Sequence, residues 1–173
     1  VGTMTHEVDH DHSYATATTS AATWQARPLT AADEAAVLAL AADYLREADA
    51  DGYLTRHGLL PEEAWLLLQA RLFAAQEAGL AFGLFAPGSP SPVMGFLLAV
   101  PAAEHAAIPL DAVLIVDLYV DPAARRGPLA RPLWTALQAA IASTNPSIRR
   151  IYANVRGDQP RLSGLLTKLG FLP

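Results

Sequence analysis

The sequence predicts one α/β (α+β) domain, built on a mixed sheet with helices on both of its faces. The chain has 173 residues, which is enough for a single domain with a sizeable core. Hydrophobic residues make up 52% of the chain and charged residues only 17%, a balance that argues against disorder. Segments with strand and helix periodicity follow one another in the order strand, two helices, three strands, helix, strand, helix. Many functions share this order, so the fold class alone does not indicate one.

Composition excludes several classes of function. The net charge of −5 and the pI near 5.4 disfavour nucleic acid as a partner, because phosphate binding needs a basic surface. The absence of cysteine excludes disulfides, thiolate zinc sites and a cysteine nucleophile. No apolar run approaches the roughly 20 residues that span a bilayer. We therefore expect a soluble, cytoplasmic protein with neither a nucleic-acid nor a membrane partner.

The N-terminal segment has a different character from the rest of the chain. Residues 1–22 are polar, rich in Thr and Ser, and lack helical periodicity, so we expect a disordered leader or a remnant of cloning. His10 and His12 would share one face of an extended segment, which makes a metal site conceivable. A solvated tail without metal is favoured over such a site. The folded domain is expected to cover residues 23–173.

Local signals place the elements of that domain. Thr30 begins a helix, because its hydroxyl lies three residues before the acid Asp33 in a variant of the capping box. Pro61 begins a second helix, where its missing N–H costs nothing. A cluster of Pro, Gly and Ser over 87–91 is typical of a hairpin connection. The predicted elements are a strand at 23–29, helices at 30–48 and 61–79, strands at 80–86, 92–100 and 112–120, a helix at 129–142, a strand at 150–155 and a helix at 161–168.

The turn after the third of these consecutive strands carries the strongest functional signal. The strand ends at Pro122, a short basic turn containing Gly127 follows, and a helix begins at once. This order directs free backbone N–H groups and a positive helix end to one point, beside Arg125 and Arg126. Such a point binds a phosphate or pyrophosphate. An ordinary strand-to-helix connection with solvated arginines fits the residues equally well.

This stretch resembles the acetyl-CoA-binding motif of the GNAT superfamily of N-acetyltransferases, which is Arg/Gln-x-x-Gly-x-Gly/Ala after a strand reading roughly Leu-Tyr-Val-x-Pro. The matching residues are LYVDPAARRG at 118–127 and LARPL at 129–133. A second match lies downstream, where ANV at 153–155 and LLTKLGF at 165–171 resemble the family's closing segment. The resemblance covers about residues 23–171, and two motifs in the right order are more specific than either alone.

The resemblance implies a mostly antiparallel, splayed sheet and an N-acetyltransferase that uses acetyl-CoA as co-substrate. The acetyl group would pass to a primary amine of a small molecule or peptide by direct attack on the thioester, helped by proximity and by a base or water chain. The backbone of Leu118 and Val120 would pair with the pantetheine arm. The other cofactor-binding residues that the resemblance implies are Arg125, Arg126, Gly127, Leu129, Ala130 and Gln159.

Departures from the family's pattern favour a second interpretation. Pro128 stands where the family has Gly, and it has no N–H to donate, so one pyrophosphate contact should be lost. Leu166 replaces a Tyr that often protonates the departing thiolate. The last strand of the domain is short or missing, and residues 14–22 are a candidate to replace it. The alternative is therefore a catalytically degenerate acyl-CoA-binding or regulatory module of the same fold. A third interpretation is an α/β fold whose Arg-rich turn binds another phosphate ligand.

Asp117 is the candidate catalytic residue, because it is the acid embedded in the apolar strand beside the expected thioester. Some relatives carry at this place an acid that contacts the amine acceptor. A buried Asp satisfied by the backbone or by an arginine is an equally open alternative. Tyr119 on the same strand is more typical of a core aromatic than of a proton donor. Further candidate contacts to the acceptor are Tyr53, Arg56 and His57 between the first two helices, and Glu104 and His105 in a loop. A homodimer also stays open.

Overall fold

The sheet is built from six strands within the part of the chain that the computed structural model describes, which is residues 2–8, 24–86, 93–102, 108–125, 130–155 and 160–173. Every neighbouring pair is antiparallel except β5 and β6, which are parallel. The spatial order across the open sheet is β1-β6-β5-β4-β3-β2. The strands are β1 (Gly2–Glu7), β2 (Gln25–Pro28), β3 (Ala81–Phe85), β4 (Val93–Pro101), β5 (Ala112–Val120) and β6 (Arg150–Val155).

Helices cover both faces of this sheet, as the sequence predicts. The helices are α1 (Glu34–Ala50), α2 (Tyr53–Arg56), α3 (Pro61–Glu77), α4 (Ala130–Thr144) and α5 (Pro160–Lys168). Buried residues of α1 and α3 pack with Phe96, Leu98 and Leu114 on one face. Buried residues of α4 and α5 pack with Leu97 and Val113 on the other. We call these the α1–α3 face and the α4–α5 face. None of the described helices is long and apolar enough to cross a membrane.

The capping signal at the start of α1 is realised in the structure. The carboxylate of Asp33 accepts hydrogen bonds from the amide and the hydroxyl of Thr30, at 2.9 and 2.8 Å. Both terminal nitrogens of Arg27 also donate to it, at 2.7 and 2.8 Å. Arg27 lies on β2 and Asp33 lies in a short 3-10 turn before α1. The acid therefore ties the edge strand to the first helix.

The N-terminal segment contradicts the expectation of a disordered leader over its first residues. Gly2–Glu7 pairs with the whole of β6, from Gly2 opposite Val155 to Glu7 opposite Arg150. The physical reason is that Met4 and Val8, four residues apart and therefore on one face of an extended chain, are both buried in the α4–α5 face. The rest of the predicted leader, with His10 and His12 and the candidate strand at 14–22, lies outside the described residues.

The two ends of the described chain meet beside β1. The amide of Thr5 donates to the carbonyl of Leu172 and the amide of Leu172 donates to the carbonyl of Thr5, both at 2.8 Å. His6 packs edge-on against Trp134 and beside Phe171, with ring centroids 4.8 and 5.5 Å apart. The strand next to β6 is therefore supplied by the start of the chain, whereas the residues after α5 contribute a single bridge.

A β-bulge in β5 positions the candidate site. Asp117 lies opposite Leu98 and Ile115 lies opposite Ala99, so that Val116 has no partner on β4. The β5–β6 ladder ends at the pair Ile115–Ala153, although both strands continue. A bulge bends its strand and increases the local twist. Beyond Ile115, β5 therefore has no pairing with β6 among the described residues, and we call this unpaired stretch the opening between β5 and β6.

Candidate functional site

Asp117 faces α1 and α3 because of the bulge. Strict alternation from Val113 and Ile115, which lie on the α4–α5 face, would place Asp117 on that same face. The extra residue Val116 reverses the phase, so the Asp117 carboxylate instead meets side chains from both helices of the α1–α3 face. Tyr119 also lies on this face. The bulge thereby brings two polar side chains of β5 to the side expected to receive the acceptor.

The Asp117 carboxylate is buried and has two side-chain partners among the described residues. The hydroxyl of Tyr44 on α1 donates to Oδ1 at 3.2 Å. Nη1 of Arg71 on α3 lies 3.2 Å from Oδ2 and 3.4 Å from Oδ1. Burial raises the pKa of Asp117, and the opposing effects of Arg71 and Tyr44 do not fully offset it. Asp117 therefore holds a proton more readily than an ordinary aspartate, and its assignment as a catalytic residue stays a prediction.

A second carboxylate, that of Glu47 on α1, lies at the end of β5. Arg125 donates to it through both terminal nitrogens, each at 2.7 Å, and Tyr119 donates its hydroxyl at 3.0 Å. The hydrogen bonds from Arg125 hold the pKa of Glu47 below its usual range, and Tyr119 adds to this effect. Burial, and then the bond to Glu47, raise the pKa of Tyr119 to about 12. The Tyr119 phenol is therefore a weaker acid than an ordinary tyrosine.

The side chain of Arg125 is occupied by protein groups. Besides its two bonds to Glu47, its Nε donates to the backbone carbonyl of Val120 at 2.7 Å. Its guanidinium also lies over the ring of Tyr119, 5.2 Å from the ring centroid. Arg125 thus ties the start of the basic turn to α1. Its predicted contact with a pyrophosphate would have to come from its backbone or follow a rearrangement of this side chain.

Beyond the bulge, one side of the β5 backbone has no strand partner among the described residues, although the Val120 carbonyl accepts from Nε of Arg125. The amide of Asp121 donates to the carbonyl of Met94 on β4 at 2.8 Å. In a strand, backbone groups of successive residues point to opposite sides. The polar groups of Val120 and Leu118 therefore point away from β4, toward the side where pairing with β6 has ended. These are the two residues predicted to pair with a pantetheine arm.

The remaining predicted residues divide between described and undescribed parts of the chain. Ala130 begins α4 and is buried. Leu166 is buried in the α4–α5 face. Arg56 and His57 are exposed at the end of α2 and in the turn after it. Outside the described residues lie Arg126, Gly127, Pro128, Leu129, Gln159, Glu104, His105 and the side chain of Tyr53.

Sequence reasoning missed the helical half of this site, namely Tyr44, Glu47 and Arg71. A usable signal existed for Arg71, which lies three residues after Leu68 and four before Ala75, and both of these are buried. An arginine on the buried stripe of a helix needs an acid, and Asp117 is the acid in an apolar strand. Within the residues that the structure describes, no group of three His, Asp or Glu side chains is placed to hold a metal ion.

Comparison with protein-family models finds no match for this chain, and comparison with curated proteins finds no significant similarity.

Proposed function

We propose that this chain is an acetyl-CoA-dependent N-acetyltransferase that moves an acetyl group to a primary amine of a small molecule or peptide. The observation that carries the proposal is the end of β5–β6 pairing beyond the Val116 bulge, where Leu118 and Val120 have no strand partner on that side among the described residues. The Val120 carbonyl there accepts from Nε of Arg125, so its amide and the backbone of Leu118 are the groups open to an added strand. An amide-bearing arm such as pantetheine can pair with such backbone groups as an added strand does. Two motif resemblances in the sequence, to a cofactor turn after β5 and to a closing segment that begins in β6, support the same proposal.

The chemistry needs little from the protein beyond positioning. A neutral amine attacks the thioester carbonyl carbon, the carbon–sulfur bond breaks, the nitrogen loses one proton and the departing thiolate gains one. The raised pKa of Asp117 makes it a stronger base than an ordinary carboxylate, which suits it to take the nitrogen's proton directly or through water. Leu166 has no phenol to protonate the thiolate, so solvent would supply that proton.

The alternative is an acyl-CoA-binding or regulatory module of the same fold without catalysis. The specific observation that favours it is the pairing of Asp117 with Arg71, which engages the candidate base within the protein. The basic turn and the opening in the sheet support cofactor binding under both proposals. Only a measurement of turnover distinguishes the enzyme from the module.

Calorimetric titration with acetyl-CoA, followed by a thiol-release assay over a panel of amines, tests the proposal. We expect binding under both proposals and thiol release only from the enzyme. No detectable binding at millimolar acetyl-CoA would remove both. Binding without amine-dependent thiol release would leave the module.

The Pro128→Gly variant tests the cofactor turn itself. Restoring one N–H toward the pyrophosphate should tighten acetyl-CoA binding by about tenfold, since a hydrogen bond to a charged group contributes about 1.5–3 kcal/mol. Calorimetry measures the change. Pro173→Gly, at the exposed last residue, is the matched control and should leave the affinity unaltered. An unchanged affinity in Pro128→Gly would count against the proposed alignment of the turn.

A further inference from the structure

Arg71 holds its acid differently from the other two arginine–carboxylate pairs described above. Arg27 and Arg125 each donate through two nitrogens, and all four of these distances are 2.7–2.8 Å. Arg71 reaches the Asp117 carboxylate with Nη1 alone, at 3.2 and 3.4 Å. Charge-assisted bonds of this kind are normally about 2.7–2.9 Å long, and guanidinium–carboxylate pairs are frequently bidentate. The Arg71–Asp117 contact is therefore long and involves only Nη1 of the guanidinium.

Part of the Arg71 guanidinium makes no hydrogen bond to the residues that the structure describes. Its Nη2 and Nε have no partner among the described residues. The Arg71 side chain is 34% exposed whereas that of Asp117 is 2% exposed, so Arg71 is the charged group of this pair that reaches solvent. The other acid nearby, Glu47, is already engaged by Arg125 and Tyr119. The accessible charge identified on this side of β5 is therefore positive.

The position of Arg71 puts its positive charge near the site expected to receive the acceptor. Asp117, which Arg71 contacts, is the residue directly after the bulge, at the start of the segment of β5 that no longer pairs with β6. A group bound by Arg71 would lie within one side chain's reach of the backbone expected to hold the thioester. A purely cationic amine would meet the positive guanidinium there, which is unfavourable.

We propose that Arg71 binds a carboxylate of the acceptor, so that the acceptor is a small amine carrying a carboxylate a few bonds away, as a free amino acid does. This inference rests on the proposed acetyltransferase function. The planar guanidinium would donate two parallel bonds to the ligand while Nη1 stays on Asp117, giving a chain of carboxylate, guanidinium and carboxylate. Arg71 would then determine specificity, and the amine would be directed toward the open side of β5.

Direct binding tests the inference independently of turnover. The common amino acids and their C-terminal amides are titrated separately into the protein while its backbone amides are followed by NMR. We expect at least one amino acid to bind more tightly than its amide. Arg71→Gln should remove that preference, and Arg46→Gln, on the exposed side of α1, should keep it. If no amino acid binds, or if acid and amide bind equally, the inference is overturned.

Steady-state kinetics with acetyl-CoA gives the second readout. For a carboxylate-bearing amine, Arg71→Gln should raise KM about ten- to a hundredfold, as expected for losing a bond to a charged group, and should change kcat much less. The KM for the matching amide should stay the same. Arg71→Lys keeps the positive charge but cannot donate two parallel hydrogen bonds. Its KM should therefore lie between those of wild type and Arg71→Gln. If Arg71→Gln fails to fold, the KM of Arg71→Lys tests the inference in its place.

The two proposals fail in different ways. Turnover of amides and amino acids with equal kcat/KM would overturn the assignment of Arg71 and leave the acetyltransferase proposal standing. Amino-acid binding that depends on Arg71, with no acetyl-CoA binding, would support the carboxylate site and remove the acetyltransferase.

Discussion

At the scale of single residues, Asp117 shows how burial and pairing compete. Removing a carboxylate from water is costly, and one long contact from a third-exposed arginine returns only part of that cost. Its pKa is raised, with burial as the largest cause and with Arg71 and Tyr44 opposing it. Burial therefore favours the protonated form of Asp117, in contrast to Glu47, whose pKa is lowered by its two hydrogen bonds from Arg125.

This difference predicts the pH dependence of stability for an Asp117→Asn variant. Because the folded pKa lies above the unfolded value of 3.8, the stability contributed by Asp117 is complete below that value and is lost as pH rises through the folded pKa. The stability of wild type relative to Asp117→Asn should therefore fall as the pH rises above about 4. Urea unfolding over this range measures it. Asp49→Asn, at the exposed end of α1, is the control. A difference between wild type and Asp117→Asn that does not vary with pH would contradict the prediction.

At the scale of elements, the extra residue Val116 in β5 has two structural consequences. The extra residue reverses the alternation, so that Asp117 and Tyr119 both face α1 and α3. It also coincides with the end of pairing to β6 at Ile115. An uninterrupted β5 could continue the parallel ladder toward Asn154. We therefore infer that the opening, on which the proposed cofactor binding depends, follows from one inserted residue.

Deleting Val116 should close this opening while leaving the chain folded. Without it Ile115 and Asp117 would become neighbours, and the ladder to β4 would run without interruption. We expect acetyl-CoA affinity to fall about tenfold or more, because two backbone hydrogen bonds of about 1 kcal/mol each would be lost to the restored ladder. Circular dichroism checks that the variant folds, and calorimetry measures its affinity for acetyl-CoA.

Val116→Ala is the matched variant for this deletion. It keeps the extra residue and shortens only its side chain, so affinity for acetyl-CoA should stay close to that of wild type. If the substitution and the deletion weaken binding alike, the side chain and not the bulge is responsible.

At the scale of the whole molecule, the sheet depends on residues far apart in sequence. β1 lies between β6 and Leu172, so the first residues described complete a sheet whose other strands come from the body of the chain. Met4 and Val8 join the same apolar cluster as Trp134 and Phe171. An edge strand with such burial is part of the core and covers the backbone groups of β6.

A pair of neighbouring substitutions tests whether β1 stabilises the domain. Met4→Ala should lower the free energy of unfolding by about 2–5 kcal/mol, the usual range for truncating a buried methionine. Thr3→Ala should change it by less than about 0.5 kcal/mol, because Thr3 is exposed. Urea denaturation followed by tryptophan fluorescence measures both. Equal and negligible effects would show that the segment adds nothing to stability.

The elements from β2 to α5 are predicted by the sequence because their signals are local. Ala112–Val120 and Arg150–Val155 were predicted with the same bounds that the structure has, since buried strands are short apolar runs between turn residues. The start of α1 follows from Thr30 and Asp33. Asp117 and the basic turn after β5 were likewise identified from residue type and position. The prediction missed the short helix α2 as well as β1.

Tertiary structure alone decided three things about this protein. It placed Gly2–Glu7 in the sheet, because the partner strand β6 lies more than 140 residues away and only Met4 and Val8 mark the segment as buried. It turned Asp117 toward α1 and α3. A bulge arises from pairing between two strands, so the hydrophobic periodicity of a single strand does not reveal it. It also joined Arg71 to Asp117. Sequence determines which side chains are available, but the long-range register of the sheet determines which of them meet.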